Sequence, residues 1–389
     1  MIAELRRAGD TGPLEFDEDH FRLVRGEGNF LNLHNAYAEW ERAPRLRRKA
    51  VLRYFATSML EPTTPPDSID EARPNLLLRV RDREWYETMQ LEFAEARDGR
   101  GPALTYQRLN DDLAVEIVYD WPTSVSSVAP EQLDDWGISV EEAVRTARAN
   151  LRERTPGTFA QLEPGVFGST WHDTYDSSRL VLTELIARLD VHGDPVALLP
   201  HRDHLFVTGV DDERGLGRMA ELARPLLDEP HRVTGRAFAW RDGAWQSFVP
   251  PDGHSYRRRF LDLVRVTDAA NYGEQKPVLE ERARVGGDEV FVASVLLATD
   301  PGSGETTTVC SWTEGVPSLL PRSDRIAFVS PGETDESSRI MYVPWDDAAA
   351  IMSSAMAAQG LAPERWRVDR FPTDGEQAAL RRAEVSWTS

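Results

Sequence analysis

Two short segments hold most of the residue types that do chemistry. Trp171-His172-Asp173-Thr174-Tyr175-Asp176-Ser177-Ser178-Arg179 and Pro200-His201-Arg202-Asp203 gather imidazole, carboxylate, hydroxyl and guanidinium groups where apolar runs stop. If the two segments meet, Tyr175, Asp176, Arg179, Arg202 and His172 form a polar pocket. Arginines at such a turn suit a small carboxylate or phosphate, and His172 would serve as a general base. A plainer reading stands beside this one. Asp176 caps a helix that starts there, and Arg179 pairs with it at i,i+3.

Known catalytic signatures do not fit. His201-Arg202-Asp203 has the form of a protein-kinase catalytic loop, but the metal-binding Asn required five residues after the Asp is replaced by Thr208. His201, His204, His172 and Asp173 lack the spacing of a helical zinc motif, so no metal is expected. Asp173 and Asp176 are three apart, not two as in phosphotransferases that use an Asp nucleophile with an Asp acid. No Gly-x-Ser-x-Gly elbow surrounds Ser169, Ser177 or Ser178. Gly302-Ser303-Gly304 has no phosphate-loop lysine, so no nucleotide or other cofactor is indicated. Whether the chain catalyses anything is left open.

Charge narrows the partners. With 65 acidic against 45 basic residues the formal net charge is −20. The balance speaks against nucleic acid and against an anionic membrane surface. The single cysteine, Cys310, lies in an apolar run and reads as a core residue. Met1 to Gly12 has no apolar leader-like run, and no stretch approaches the ~18 apolar residues of a membrane span. The expected setting is the cytoplasm.

The first twenty residues are polar and are expected to be poorly ordered. Helical spacing runs from Leu33 to about Met59, broken at Pro44, with a basic cluster at Arg45, Arg47, Arg48 and Lys49. The proline-rich 61–67 reads as a linker. Leu76–Val80 reads as a strand, Trp85–Ala96 as a helix, and 113–120 as a strand with Leu113, Val115, Ile117 and Tyr119 on one face. Ser139 and Glu142 form a capping box for a helix through Leu151. A helix from Asp176 to Asp190 is expected next, then strands at 196–199 and 205–208 and a helix over 213–227. A hairpin turns at Asp242-Gly243. Beyond Pro250-Pro251-Asp252-Gly253 come strands at 290–298, 306–312, 325–329 and 340–343 and a helix over 346–358.

Leu198-Leu199-Pro200-His201-Arg202-Asp203 is echoed by Leu319-Leu320-Pro321-Arg322-Ser323-Asp324. The echo suggests a repeated α/β unit and makes Asp203 a turn residue, leaving Arg202 the more interesting one. The expected fold is α+β or mixed α/β, with antiparallel-rich sheets packed against helices. It divides into an N-terminal helical segment with its linker (1–66), a central domain (67–250) and a C-terminal α/β unit (251–389) that is either a related repeat of it or independent, the matched positions being few enough to arise by chance.

Val118-Tyr119-Asp120, Leu133-Asp134-Asp135-Trp136-Gly137, Glu142-Ala143 with Asn150-Leu151, Tyr175 through Leu180, and Pro200 with Arg202-Asp203 form an ordered set. Together they resemble the YtpQ-like bacterial proteins, the DUF1444 or UPF0354 group of unknown function, over about residues 74–250. The resemblance implies a cytoplasmic bacterial α/β domain and no activity. The leading expectation is a non-enzymatic interaction or regulatory protein; Trp240, Trp245 and Trp312 would offer a protein partner a surface if exposed, although ordinary packing within the sheets is the favoured reading of them. The alternative is an enzyme or small-anion binder using the pocket. Oligomeric state is not readable.

Overall fold

The computed structural model describes residues 1–18, 21–25, 29–58, 60, 64–96, 104–299, 306–332 and 337–386. The expected linker falls partly outside them, at 61–63. The N-terminal part is not a purely helical segment. Helix α1 (Ile2–Arg7) precedes an antiparallel sheet of β1 (Leu14–Asp17), β2 (Arg22–Arg25) and β3 (Asn29–Asn32), and α2 (His34–Arg42) and α3 (Arg48–Ser58) follow. Leu5, Leu23 and Ala56 make a small core from one residue of each layer. Such sparse apolar points, spread through polar sequence, leave no periodic signal, which is why the first twenty residues read as poorly ordered.

The central domain starts with α4 (Ile69–Ala72) and then β4 (Leu76–Asp82), α5 (Arg83–Ala96), β5 (Tyr106–Arg108), β6 (Leu113–Asp120) and β7 (Val125–Ser127). These strands form one antiparallel sheet, β4-β6-β5, with β7 also on β6. Seven consecutive residues of β6 are buried, so the strand is covered on both faces and not on one. Glu116, which alternation would turn to solvent, is fully buried and meets Arg79 across the ladder at 2.5 Å. Helix α5 covers that face with Tyr86, which stacks on Tyr106. Helices α6 (Pro130–Trp136) and α7 (Val140–Glu153) follow. Ser139 accepts from the Glu142 amide, one half of the expected capping box, while the Glu142 carboxylate pairs with Arg73 (3.5 Å); Ala143, Ala147 and Leu151 form the buried stripe of α7.

Strands β8 (Ala160–Glu163), β9 (Val166–Gly168), β10 (Pro195–His201), β11 (His204–Gly209), β12 (Ala237–Arg241) and β13 (Ala244–Phe248) make a six-stranded antiparallel sheet ordered β13-β12-β10-β11-β9-β8. Helix α8 (Thr183–Ile186) lies before β10, and α9 (Glu213–Ala223) lies before β12. One apolar core runs between the two sheets. A second, on the far face, includes Leu216 and Met219 of α9 and Phe260 and Leu263 of α10 (Arg257–Gly286).

Beyond α10 come β14 (Phe291–Val292), β15 (Leu296–Thr299), β16 (Thr306–Thr313), β17 (Ser318–Pro321), β18 (Arg325–Ser330), β19 (Arg339–Pro344), α11 (Trp345–Ile351), β20 (Ala357–Ala358), β21 (Arg365–Val368) and α12 (Asp374–Arg382). They build two sheets, β14-β17-β21-β20 and β15-β16-β18-β19. The long strand expected at 290–298 is thus two short ones in different sheets, and the helix expected to reach 358 ends at Ile351. The echoed sequences also sit differently: β10 and β11 pair as a hairpin, whereas β17 and β18 belong to separate sheets. The whole is an α+β protein.

The three tryptophans take the packed positions favoured for them and do not form a partner surface. Trp245 and Trp312 are buried and Trp240 is half-buried. Trp240 packs edge-on to Trp245, whose indole N–H donates to the Leu180 carbonyl, and Trp312 lies against Phe328. Hairpin strands that are covered by helices and loops turn their largest residues inward, because aromatic rings bury the most apolar area.

Helix α10 is pinned to the central domain by charge. Arg236, just before β12, faces Asp82 at the end of β4, Glu84 on α5, Asp112 before β6 and Asp268 on α10. Four carboxylates share one guanidinium, and Asn271 of α10 also donates to Glu84. Burial pushes the Glu84 carboxyl up to about 7, although Arg236 pulls the other way. The folded chain therefore holds a proton that the unfolded chain loses at ordinary carboxyl pH, so this site's stability contribution declines as pH rises towards 7. Glu84→Gln should therefore raise the thermal midpoint relative to wild type near pH 8 and leave it unchanged near pH 5, the other titrating groups acting on both proteins alike. Parallel pH profiles for wild type and variant would refute this assignment.

Candidate functional site

The segment from Ser169 to Val181 enters between the two central sheets. Its backbone is bent at His172 (φ +50°) and Thr174 (φ +72°), left-handed conformations that cost non-glycine residues roughly 1–3 kcal/mol each. Three carboxylates hold the bend. Asp176 accepts from the amides of Trp171 (3.2 Å) and Asp173 (3.3 Å), Asp173 accepts from Tyr175 (3.1 Å), and Asp203 accepts from Thr174 (2.9 Å). Asp176 does stand at the start of a helical turn, but its carboxylate makes no cap bond and looks back into the loop. The helix expected to run to Asp190 is a 3-10 turn at Ser177–Val181 followed by the single turn of α8, broken at Leu182 (ψ +60°).

Arg179 is fully buried at the centre of this loop. Its fork grips both oxygens of Asp173 at 2.7 Å, its Nε donates to Thr155 (2.9 Å), and a terminal nitrogen reaches the Arg154 carbonyl (3.2 Å). The guanidinium also lies 4.3 Å over Trp171. Asp176 is 4.0 Å away, so the i,i+3 pair forms only loosely. Arg179 holds the Asp173 carboxyl below its usual range against the cost of burial, whereas burial raises that of Asp176. Tyr175 is buried too, and its hydroxyl donates to Asp120 (2.8 Å), which also pairs with Arg154. Tyr175, Asp176 and Arg179 therefore have their bonding capacity engaged within the fold.

The two segments singled out in the sequence do meet. The Ser177 amide donates to the Arg202 carbonyl (3.0 Å), and Thr174 reaches Asp203 as above. Ser178 ties the loop to the first sheet by accepting from the Val80 amide (3.0 Å). Four imidazoles then run in a row, with ring centres 5.8 Å apart for His172–His204, 5.6 Å for His204–His201 and 6.4 Å for His201–His231. His201 has both nitrogens engaged: Nδ1 accepts from the Asp203 amide, so Nε2 carries the proton and donates to the Pro230 carbonyl (2.6 Å). Burial pushes it down to about 4, and burial likewise lowers His204 and His231. Among the described residues no group of three or more His, Cys, Asp or Glu side chains is placed to hold a metal ion.

Arg202 is the residue of the set with capacity to spare. Its Nε approaches Asp203 at 3.5 Å but is buried without a hydrogen bond, and His204 Nδ1 is in the same condition. Arg202 also feels Arg81 of β4, which burial, Arg79 and Arg202 together push down to about 10. His172 is exposed beside this corner. Arg81 and His231 were missed as site residues from the sequence, and His204 was weighed there only as a metal ligand. One signal was present: Arg79 and Arg81 both interrupt the apolar run of β4 at the same alternation, placing two cations on one covered face.

This is an α+β chain with a polar junction between two antiparallel sheets. It is similar to a UPF0354 protein of Shouchella clausii, 24% identical over 230 residues that cover 56% of this chain and 82% of that protein. The similarity supports membership of the UPF0354 family of unknown function, as the ordered motifs implied. No family model and no solved structure matches. No helix among the described residues is long and apolar enough to cross a membrane.

The loop depends on its buried cation. Arg179→Met should cost about 3–4 kcal/mol of unfolding free energy, because the buried Thr155 hydroxyl and the Arg154 carbonyl lose their donor and the bend loses its clamp, while the half-exposed Asp173 turns to water. Tyr175→Phe should cost about 1.5–3 kcal/mol, the scale of one bond to a charged acceptor. Urea denaturation checks both, and an Arg179→Met loss below that of Tyr175→Phe would contradict the ranking.

Proposed function

We propose that this chain is a small-anion-binding protein with a regulatory role, and that Arg202 is its principal anion donor. One observation carries the reading: a guanidinium Nε and an imidazole Nδ1 lie buried without hydrogen bonds at the same junction. Buried polar atoms ordinarily have partners, so an unpaired guanidinium N–H beside an unpaired imidazole nitrogen, a donor when it carries the proton, marks a place where a ligand completes the structure. Arg81 adds positive charge, and His204 and His172 add donors that need no charge of their own. The regulatory reading rests on how the chemistry is committed. His201 and Asp203 are locked into the turn, and the Cys310 thiol is buried and pushed up to about 12. Isothermal titration with inorganic phosphate at low salt is the test. Arg202→Ala should bind at least tenfold more weakly than wild type, about 1.4 kcal/mol. Wild type and variant that bind phosphate equally well would overturn the reading.

A protein partner is a second reading, favoured by the edge of the C-terminal unit. Strand β15 pairs only with β16 among the described residues and exposes Leu296 and Leu297, near the exposed Phe291 of β14. Unprotected apolar edge strands invite pairing with another chain. Sedimentation velocity should show a concentration-dependent complex, of the chain with itself or with an added extract fraction, that Leu297→Lys abolishes. A complex indifferent to that change would dispose of this edge as the contact.

A further inference from the structure

The anion-binding corner has a neighbour from a different part of the chain. Helix α2 lies against the segment 228–231, which leads back to the row of histidines. Glu39 of α2 accepts from His231 Nε2 at 3.2 Å, and Arg42, one turn on, donates to the Asp228 carbonyl (3.1 Å) and pairs with Glu229. His231 in turn accepts the Arg202 amide on its carbonyl (3.2 Å) and adopts a left-handed backbone (φ +67°). It also feels the charges of Arg202 and Arg81. The chain therefore brings one carboxylate, from a separate small unit, to the rim of its own cationic corner.

We infer that α2 is an internal lid on this site, with the Glu39 carboxylate standing where an incoming anion would draw on the same histidine and arginines. This rests on the anion-binding reading above. An acid in that position competes with the ligand: the anion must displace it or bear its repulsion. The lid is also built to open. Arg42 and Glu229 are both about half-exposed, and solvent-exposed pairs of that kind hold weakly. Helix α2 is held to α3, where Arg48 lies 4.4 Å over Trp40 and donates to the Ala43 carbonyl (3.2 Å), so α2 moves with the N-terminal unit, which keeps its own core of Leu5, Leu23 and Ala56. A separate contact, Ser58 Oγ to the Thr123 carbonyl (2.7 Å), keeps the end of α3 on the central domain and supplies a pivot.

Phosphate titration of four full-length proteins tests this: wild type, Glu39→Gln, Arg202→Ala and the double variant. Glu39→Gln keeps the shape of the contact and removes its charge. Its affinity should exceed that of wild type by on the order of tenfold. The double variant should lose that gain. Hydrogen exchange should rise across residues 34–42 of the wild type when phosphate is added. Glu39→Gln matching wild type while Arg202→Ala weakens both would overturn the lid and leave the site standing. A gain that survives in the double variant would place the effect elsewhere and overturn the lid as well. Absence of binding by all four would remove both the lid and the site.

Discussion

A positive charge taken wholly out of water shapes the middle of this molecule. Burying an unpaired guanidinium costs several kcal/mol, so Arg179 can sit at zero exposure only if its donors are met. Asp173 meets two of them side by side, and Thr155 and the Arg154 carbonyl meet the others. Asp173 reaches that position because the chain bends through left-handed residues on either side of it. Asp176 and Asp203 hold the bend. The bent loop then bonds to both sheets, through Val80, Leu205 and Arg202. Two antiparallel sheets that share no ladder thus become one domain around one core.

The same device recurs. Arg79 meets Glu116 inside the first sheet, Arg236 meets four carboxylates beside α10, and Arg365 is fully buried on Gln275 and the carbonyls of Ala293, Leu319 and Tyr272. Lys49 and Lys276 are the only lysines in the sequence, so nearly every cation is an arginine. A planar fork of five donors can be satisfied at several points at once, whereas an ammonium offers three donors on one atom. Arginine is the cation that a fold can bury repeatedly and still orient.

This accounts for what the sequence could and could not tell. Elements that declare themselves by apolar period were legible: β4, α5, α7 with Ser139 at its cap, the β12–β13 hairpin at Asp242-Gly243. Helix α10, the longest element, was not. Its inward face carries Thr267, Asn271 and Gln275 at intervals of four, a buried stripe that is polar and therefore invisible to hydrophobic spacing. Pro277 within it also reads as a break. Glu116 in β6 misled for the same reason, since a charge inside a strand normally marks a wet face. That the segments around Asp176 and Arg202 meet entered only as a condition; that they concentrate polar groups was legible, because both sit where apolar runs stop. Which of their residues would be used up in folding was not, because that depends on partners such as Thr155, Asp120 and Arg154, whose contacts no local pattern announces.

The distinction between used and spare groups decides the functional argument. Arg179 and Arg202 look alike in the sequence, each in a polar segment with an aspartate nearby. In the fold, Arg179 has a partner on all three of its nitrogens, and Arg202 has one long contact to Asp203 from a buried Nε. A saturated arginine resists ligands, because any anion must first displace a carboxylate already bound bidentately. An arginine whose buried Nε has only a long contact to Asp203 has less to give up when an anion arrives, and the Glu39 carboxylate at the rim is the competitor it must overcome. Burial lowers the pKa of His201, His204 and His231, so the positive charge of the corner is carried chiefly by Arg202 and Arg81. The more completely the folding arginines are satisfied, the more conspicuous the unsatisfied one becomes.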